Sequence, residues 1–378
     1  MIKWKRTELF MIHIVTGTKA QLIKMAPVMK NLKLRGIEYN FISTGQHKET
    51  IDDILLNFDI KKPDTQLYSG KDITSVPAMF FWSIRIILSS FTNRKKLFLN
   101  DKKGIVLVHG DTLSTVLGAL MGKIAGLKVG HVESGLRSFN IFQPFPEEIF
   151  RLITFRLSDV MFCPGEWAVS NLKKYKGVKI DTGMNTLFDS LNYASPAIEN
   201  INDVEIPRDK FAVVTLHRFE NVKNRTNLEK ITGLILSAAD NINLIFILHQ
   251  ITEKKLIRYG LLDKLKHHPG IELRNRYDYF RFIKLLKHSE FVISDGGSNQ
   301  EECSYLGKPV LLFRNVTERN EGLGSNAVLS KFDEKIITDF VKNYKNLKRD
   351  VSFVKKKSPS DIIADYCIDN KFQLDYHN

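Results

Sequence analysis

Short apolar runs alternate with segments of helical periodicity along most of the chain. Leu9 to Val15, Ile37 to Ser43, Ile105 to Val108, Lys128 to Val132 and Val160 to Cys163 predict strands, with a short one over Val178 to Ile180. Between them, Gln21 to Leu34, about Lys48 to Phe58, Ser114 to Leu127, Glu147 to Leu157 and Glu166 to Tyr175 carry the spacing of amphipathic helices. Ala194 to Asp209, with Pro196, Pro207 and no periodicity, predicts a linker. A second series follows, with strands over Phe211 to Leu216, Leu244 to Leu248, Ile271 to Leu273, Phe291 to Ser294 and Lys308 to Phe313. Its helices are expected over Asn227 to Ala239 and Tyr279 to His288, and from Ser298 onward. Strand and helix alternating in this way predict α/β architecture with parallel sheets, in two Rossmann-like domains in series. The expected division is residues 1–190 and 191–357. Val76 to Phe91 is the most apolar segment, but it contains Arg85 and falls short of the roughly 20 residues needed to cross a bilayer. It predicts a buried or interface helix, with no stable membrane insertion.

Two strand patterns end in a carboxylate. Ile105 to Val108 runs into His109-Gly110-Asp111, and Lys128 to Val132 runs into Glu133-Ser134-Gly135, with a helix between them. A right-handed βαβ crossover makes such strands parallel, so Asp111 and Glu133 face the same edge of the sheet, where open α/β sheets bind ligands. A third acid, Glu147, follows Pro146 at the start of the next helix, and Arg151 lies one turn on. Acids after strands and at helix starts also serve as caps, so the case for acid-base chemistry rests on the group rather than on any one member.

Other turns offer anion sites. Thr16-Gly17-Thr18-Lys19 leads into a helix with Lys24 in its first turns, and His47 closes the second strand in Gly45-Gln46-His47. In Asp295-Gly296-Gly297-Ser298-Asn299-Gln300-Glu301-Glu302, paired glycines let backbone approach a ligand while the helix from Ser298 aims N–H groups at it, an arrangement suited to a diphosphate. The competing reading is a helix entry with a capping box. Glu302 could accept hydrogen bonds from ribose hydroxyls. His217 and Arg218 follow a strand, and Arg319 lies beyond the last one.

Composition narrows the partners. The 378 residues suit two cores, and a net charge of +14 points to nucleic acid, an acidic membrane surface or an anionic small substrate. The lysines are scattered, without the aromatic-interleaved basic motif of RNA-binding sheets, so an anionic small substrate is favoured and nucleic acid is not expected. Cys163, Cys303 and Cys367 lie far apart without metal-ligand spacing, which predicts a reducing compartment and neither a disulfide framework nor a metal site. No secretion signal is expected, because the apolar run after Met1 to Arg6 flows directly into a strand and a Gly turn.

From about Phe10 to Val328 the chain resembles the UDP-N-acetylglucosamine 2-epimerases of the non-hydrolysing bacterial type. The matching segments occur in order: GTKAQLIKM, GQH, HGDT, HVESGLR, PFPEEIFR, TGMNTLFDSL, LHRFEN, SDGGSNQEE and LGKPVLLFRNVTER. The resemblance implies a glycosyltransferase B-type fold, with the nucleotide sugar in a cleft between the domains and a C-terminal segment, about 358–378, packing back on the first domain. It implies epimerisation at C2 by elimination and readdition of UDP, with Asp111, Glu133, Glu147, Arg151 and His217 as catalytic residues. Lys19, Lys24, His47, Arg218, Gly296, Gly297, Ser298, Glu302 and Arg319 are implied to bind substrate, with Lys24 reaching the phosphates. No cofactor is implied. A cytoplasmic homodimer supplying a surface polysaccharide precursor is expected.

Where this sequence has Lys19-Ala20-Gln21, Phe219 in LHRFEN and Gln250-Ile251-Thr252 after His249, the family usually carries Arg-Pro-Glu, a further arginine and Leu-Asn-Pro. These departures leave room for a modified UDP-hexosamine or for a hydrolysing variant releasing free N-acetylmannosamine. A glycosyltransferase of the same fold and a non-catalytic nucleotide-sugar sensor are the remaining alternatives.

Overall fold

A computed structural model describes residues 10–46, 51–70, 73, 76–142, 144–351 and 357–376. His47 and the expected start of the second helix at Lys48 lie outside them. The chain forms two compact units, residues 1–193 with 356–378, and residues 194–355.

The first unit runs β1 (Ile12–Thr16), α1 (Lys19–Leu34), β2 (Tyr39–Ser43), α2 (Ile51–Asn57), β3 (Thr65–Gln66), α3 (Val76–Leu97), β4 (Ile105–His109), α4 (Leu113–Ala125), β5 (Lys128–Val132), α5 (Glu147–Leu157), β6 (Val160–Cys163), α6 (Glu166–Asn171), β7 (Val178–Asp181) and α7 (Leu187–Glu199). The described strands form one parallel sheet in the order β3-β2-β1-β4-β5-β6-β7. The order reverses between β1 and β4, and a crevice opens at such a switch point, beyond the carboxyl ends of the strands. Helices cover both faces, so β1 and β4 are buried along their whole length, which is why they read as apolar runs interrupted only by His13 and ending in Thr16 and His109. The helices start sharply. Thr18 and Gln21 cap α1 reciprocally, and Thr112 and Thr115 do the same for α4. Gly118 lets α4 lie close on the sheet, where a Cβ would stand 2.8 Å from Val108 Cγ1.

Three spans differ from the expectation. The segment expected as a linker is helical through Glu199, because Leu187, Leu191, Ala194 and Ile198 recur at helical spacing and are buried despite Pro196. Helix α6 stops at Asn171, short of Tyr175. Helix α3 extends to Leu97. Trp82, Ile86 and Ser90 face its core, whereas Phe80, Phe81, Ile84, Leu88 and Phe91 are exposed.

The second unit runs β8 (Phe211–Leu216), α8 (Phe219–Val222), α9 (Arg225–Ala239), β9 (Asn243–Leu248), α10 (Gln250–Arg258), α11 (Leu262–Lys266), β10 (Ile271–Asn275), α12 (Tyr279–His288), β11 (Val292–Ser294), α13 (Gly297–Tyr305), β12 (Val310–Leu312), β13 (Ala327–Leu329) and α14 (Glu334–Asn343). Its sheet, β10-β9-β8-β11-β12-β13, is also parallel and reverses between β8 and β11. Both units are therefore Rossmann-like, and the protein has the glycosyltransferase B-type architecture.

The chain then returns to the first unit as α15 (Pro359–Tyr376), which packs on α1. The first turn of α15 is anchored by Asp189, which accepts from the Ser360 N–H at 2.7 Å, and by Arg35 and Asn31, both of which reach Asp361 at 2.6 Å.

Candidate active site

The switch point of the first unit is filled by polar side chains. Gln21 is buried and donates to the His109 carbonyl at 2.7 Å and to Thr115 Oγ1 at 2.8 Å, while its own carbonyl accepts from Gly17 N–H at 2.9 Å and Thr18 N–H at 3.1 Å. It thus ties the end of β4 to the first turn of α1. Lys19 begins that helix and is half-buried. Gly17 leaves no room for a side chain, since a Cβ would meet Thr44 and Ser114 at about 2 Å.

At the end of β4, Gly110 adopts φ +69° and turns the chain so that Asp111 emerges half-buried. The turn is pinned from β5. His131, wholly buried, donates from Nε2 to the Gly110 carbonyl at 2.7 Å, which fixes the tautomer because a carbonyl can only accept. Burial lowers the His131 pKa to about 4, so the ring is neutral at physiological pH, and it lies within the fields of Glu133, Asp111 and Arg151. Those three residues are therefore gathered around one point.

Glu133 is a non-glycine residue at φ +64°, a left-handed conformation costing about 1–2 kcal/mol. The strain is held in place by its side chain. Oε2 of Glu133 accepts from Lys24 Nζ and Asn185 Nδ2, and His109 Nε2 lies 3.9 Å away. The other oxygen, Oε1, faces Gly110, 3.5 Å from where a Cβ would stand. Lys24, expected to reach phosphates, is buried and lies against this carboxylate.

Helix α5 contributes the remaining charges. Arg151 Nη2 donates to Asp111 Oδ2 at 2.5 Å and Nη1 to Glu148 Oε2 at 3.0 Å. Glu148, fully buried, also accepts from the Ser138 N–H at 3.1 Å and from Arg137 Nε. Burial works to raise the Glu148 pKa, but these hydrogen bonds outweigh it and hold the carboxyl below its usual range. Glu147, the third expected acid, is half-buried in the first turn of α5. Arg151 thus pairs with the acid one turn back, at i−3.

In the second unit, His217 and Arg218 lie at the end of β8 beside the Asp295-Gly296-Gly297 turn that follows β11. Asp295, wholly buried, accepts from the backbone N–H groups of His217 and Arg218 at 3.0 and 2.9 Å and from Asn221 Nδ2 at 3.0 Å. The His217 ring stacks on His249, with centroids 4.8 Å apart. Arg218 sits 3.1 Å from Glu220 and 3.5 Å from Glu318. Helix α13 starts at Gly297 with Gly296 as its cap residue and no side-chain cap, so the expected alternative of a capping box is not what forms there. A Cβ on Gly297 would stand 2.8 Å from Arg319 Nε, and Ser298 beside it is half-buried. Arg319 lies 2.9 Å from the wholly buried Glu301, and Glu302 accepts from Asn299 at 2.8 Å.

Asn185, Glu148, Arg137, Asp295 and Gln21 were not singled out from the sequence. The i, i+3 spacing of Glu148 to Arg151 and the Thr18-x-x-Gln21 capping-box pattern were the available signals. The others are joined by contacts across long sequence separations. Among the described residues, no group of three or more His, Cys, Asp or Glu side chains is arranged to hold a metal ion. No described helix is long and apolar enough to cross a membrane.

A pair of Rossmann-like units, one with clustered carboxylates at its switch point and the other with an uncapped helix start beside basic side chains, defines a nucleotide-sugar enzyme class. The sequence profile of UDP-N-acetylglucosamine 2-epimerase matches residues 30–361. The chain is 33% identical over 342 residues to a UDP-N-acetylglucosamine 2-epimerase of Methanococcus maripaludis, covering 84% of this chain and 87% of that one. It is 34% identical over 341 residues to the Campylobacter jejuni enzyme of that name, covering 84% of each. The crystal structure of Methanocaldococcus jannaschii UDP-GlcNAc 2-epimerase in complex with UDP-GlcNAc and UDP aligns with a TM-score of 0.81 at 26% identity, covering 95% of this chain and 99% of that one. The chain belongs to the UDP-N-acetylglucosamine 2-epimerase family of isomerases.

Proposed function

We propose that this protein inverts C2 of UDP-N-acetylglucosamine, giving UDP-N-acetylmannosamine, by eliminating UDP and adding it back. One carboxylate removes the C2 proton. The released electron pair forms the C1=C2 bond as the C1–O bond breaks, and UDP departs with the electrons of that C1–O bond. Readdition reverses these steps, with the proton delivered to the opposite face of C2. Two acid-base groups on different faces are required. The observation that carries the reading is the pair Asp111 and Glu133 at adjacent strand ends, one held by Arg151 and the other by Lys24 and Asn185. Glu147 is assigned as the third acid and His217 as a further catalytic group. Arg151 offsets developing negative charge.

Gly296, Gly297 and Ser298, at the uncapped start of α13, are assigned to the diphosphate together with Arg218, Arg319 and Lys19. Glu302 is assigned to the ribose. His47 keeps its substrate-binding assignment on the sequence resemblance. The net charge of +14 favours such an anionic ligand. In this reading residues 1–190 carry the chemistry, residues 191–357 hold the uridine diphosphate, and the product supplies a surface polysaccharide precursor in the cytoplasm.

Incubation with UDP-GlcNAc in deuterium oxide tests the proposal directly. Deuterium is expected at C2, with UDP-ManNAc in the equilibrium mixture. Release of free ManNAc would point to the hydrolysing variant, and exchange only in a different UDP-hexosamine would reassign the sugar. No exchange with any of them would remove epimerisation.

We also propose a homodimer. The exposed stripe Phe80, Phe81, Ile84, Leu88 and Phe91 on α3 is an apolar surface of the kind a second copy covers. Phe81→Asp with Leu88→Asp is expected to shift the mass measured by light scattering from dimer to monomer. A dimer that survived both changes would move the interface elsewhere.

A further inference from the structure

We propose that Glu148 is a positioning residue for the epimerisation: it fixes the plane of the Arg151 guanidinium so that this cation grips only one oxygen of Asp111. The inference rests on the epimerase reading. Among the described residues, Asp111 is engaged through Oδ2 alone, by Arg151 Nη2 at 2.5 Å. The second guanidinium nitrogen, Nη1, is held at 3.0 Å by Glu148 Oε2. A guanidinium is a planar fork that prefers to take both oxygens of one carboxylate. Here the fork is divided between two acids. Glu148 therefore prevents a bidentate clamp on Asp111 and leaves Asp111 Oδ1 available for a substrate proton.

Glu148 is itself immobilised. It is fully buried, and its two oxygens accept from Arg137 Nε, the Ser138 N–H and Arg151. Those bonds keep it ionised against the opposing effect of burial. Side-chain entropy has already been lost on folding, so no reorganisation of Arg151 is needed at the moment of reaction. The charges facing Arg151 and Asp111 are Glu148 from α5, Arg137 from the loop after β5, and Glu133 at the end of β5. The neutral His131 of β5 lies beneath them. Replacing Glu148 by an amide removes one negative charge from this set and frees Arg151 to turn onto Asp111.

The test is a double-mutant cycle of Glu148→Gln and Arg151→Gln, with turnover of UDP-GlcNAc, KM and UDP affinity as readouts. A displacement of a catalytic group by about 1 Å costs up to ~10²-fold in rate, so Glu148→Gln is expected to lower kcat ~30- to 100-fold while KM and UDP affinity stay within ~3-fold. In the Arg151→Gln background the same change is expected to cost less than ~3-fold, because its effect passes through Arg151. Glu148→Asp, which keeps the charge, is expected to recover part of kcat. Additive losses, or a loss confined to KM, would overturn the proposal. Nitrogen-15 spectra of the arginine side chains provide a readout that needs no turnover. The Arg151 guanidinium is expected to show hindered rotation in the wild type, with Nη resonances that shift in Glu148→Gln as the fork turns onto Asp111. A freely rotating wild-type Arg151 would overturn the proposal. A hindered Arg151 in a protein that does not exchange C2 would instead overturn the epimerase reading and leave the positioning role standing.

Discussion

Asp111→Asn and Glu133→Gln are each expected to lower the turnover of UDP-GlcNAc at least ~10²-fold while leaving UDP affinity within a small factor, the pattern of general acid-base groups that act on the transition state. The two changes act differently on the fold. Asn at 111 keeps the shape, and Arg151 retains Glu148 as a partner, so little stability is lost. Gln at 133 removes the carboxylate against which the buried Lys24 ammonium is packed. Removing the charge of one member of a buried ion pair is costly, so Glu133→Gln is also expected to lower the melting temperature. Calorimetric titration with UDP separates the two effects, since under the proposed assignment a folded variant is still expected to bind the nucleotide through the second unit. Glu147→Gln belongs in the same series. Wild-type rates in two of the three variants would return those acids to the role of caps and solvated helix ends.

The strand pattern was legible because parallel strands buried on both faces must be largely apolar, and β6 and β8 are such runs. The convergence of Asp111 and Glu133 was legible for the same reason. Once β4 and β5 are parallel neighbours, the residues that follow them share an edge. Short edge strands such as β3 and β13 were not legible, since two or three residues carry no period. Nor was α7 beyond Tyr193, where Pro196 reads as a break although burial of Ala194 and Ile198 sustains the helix. Side-chain partners were the least legible. Lys24 and Glu133 are 109 residues apart, and nothing local in GTKAQLIKM says that Lys24 will meet this carboxylate. Glu147 and Glu148 are adjacent and chemically identical, and nothing in their order says that Glu148 will bond Arg151.

Asp295→Ala is expected to produce the largest loss in the second unit, because this carboxylate is what joins the loop after β8 to the loop after β11. It is wholly buried, and removing it would orphan the backbone N–H groups of His217 and Arg218 and leave Asn221 Nδ2 with the Phe313 carbonyl alone. Each buried donor left without an acceptor costs about 1–3 kcal/mol, so a combined loss of about 3–5 kcal/mol is expected. The same substitution detaches His217 and Arg218 from the Gly296-Gly297 turn. If those residues hold the uridine diphosphate together, UDP affinity is expected to fall by at least ~30-fold, equivalent to about 2 kcal/mol. Glu220→Ala, which removes an exposed partner of Arg218, is expected to change neither quantity by more than a few tenths of a kcal/mol. Urea unfolding and UDP titration on the two variants measure both. An Asp295→Ala protein that is destabilised yet binds UDP as tightly as the wild type would make Asp295 a packing residue only, and would remove His217 and Arg218 from the nucleotide site.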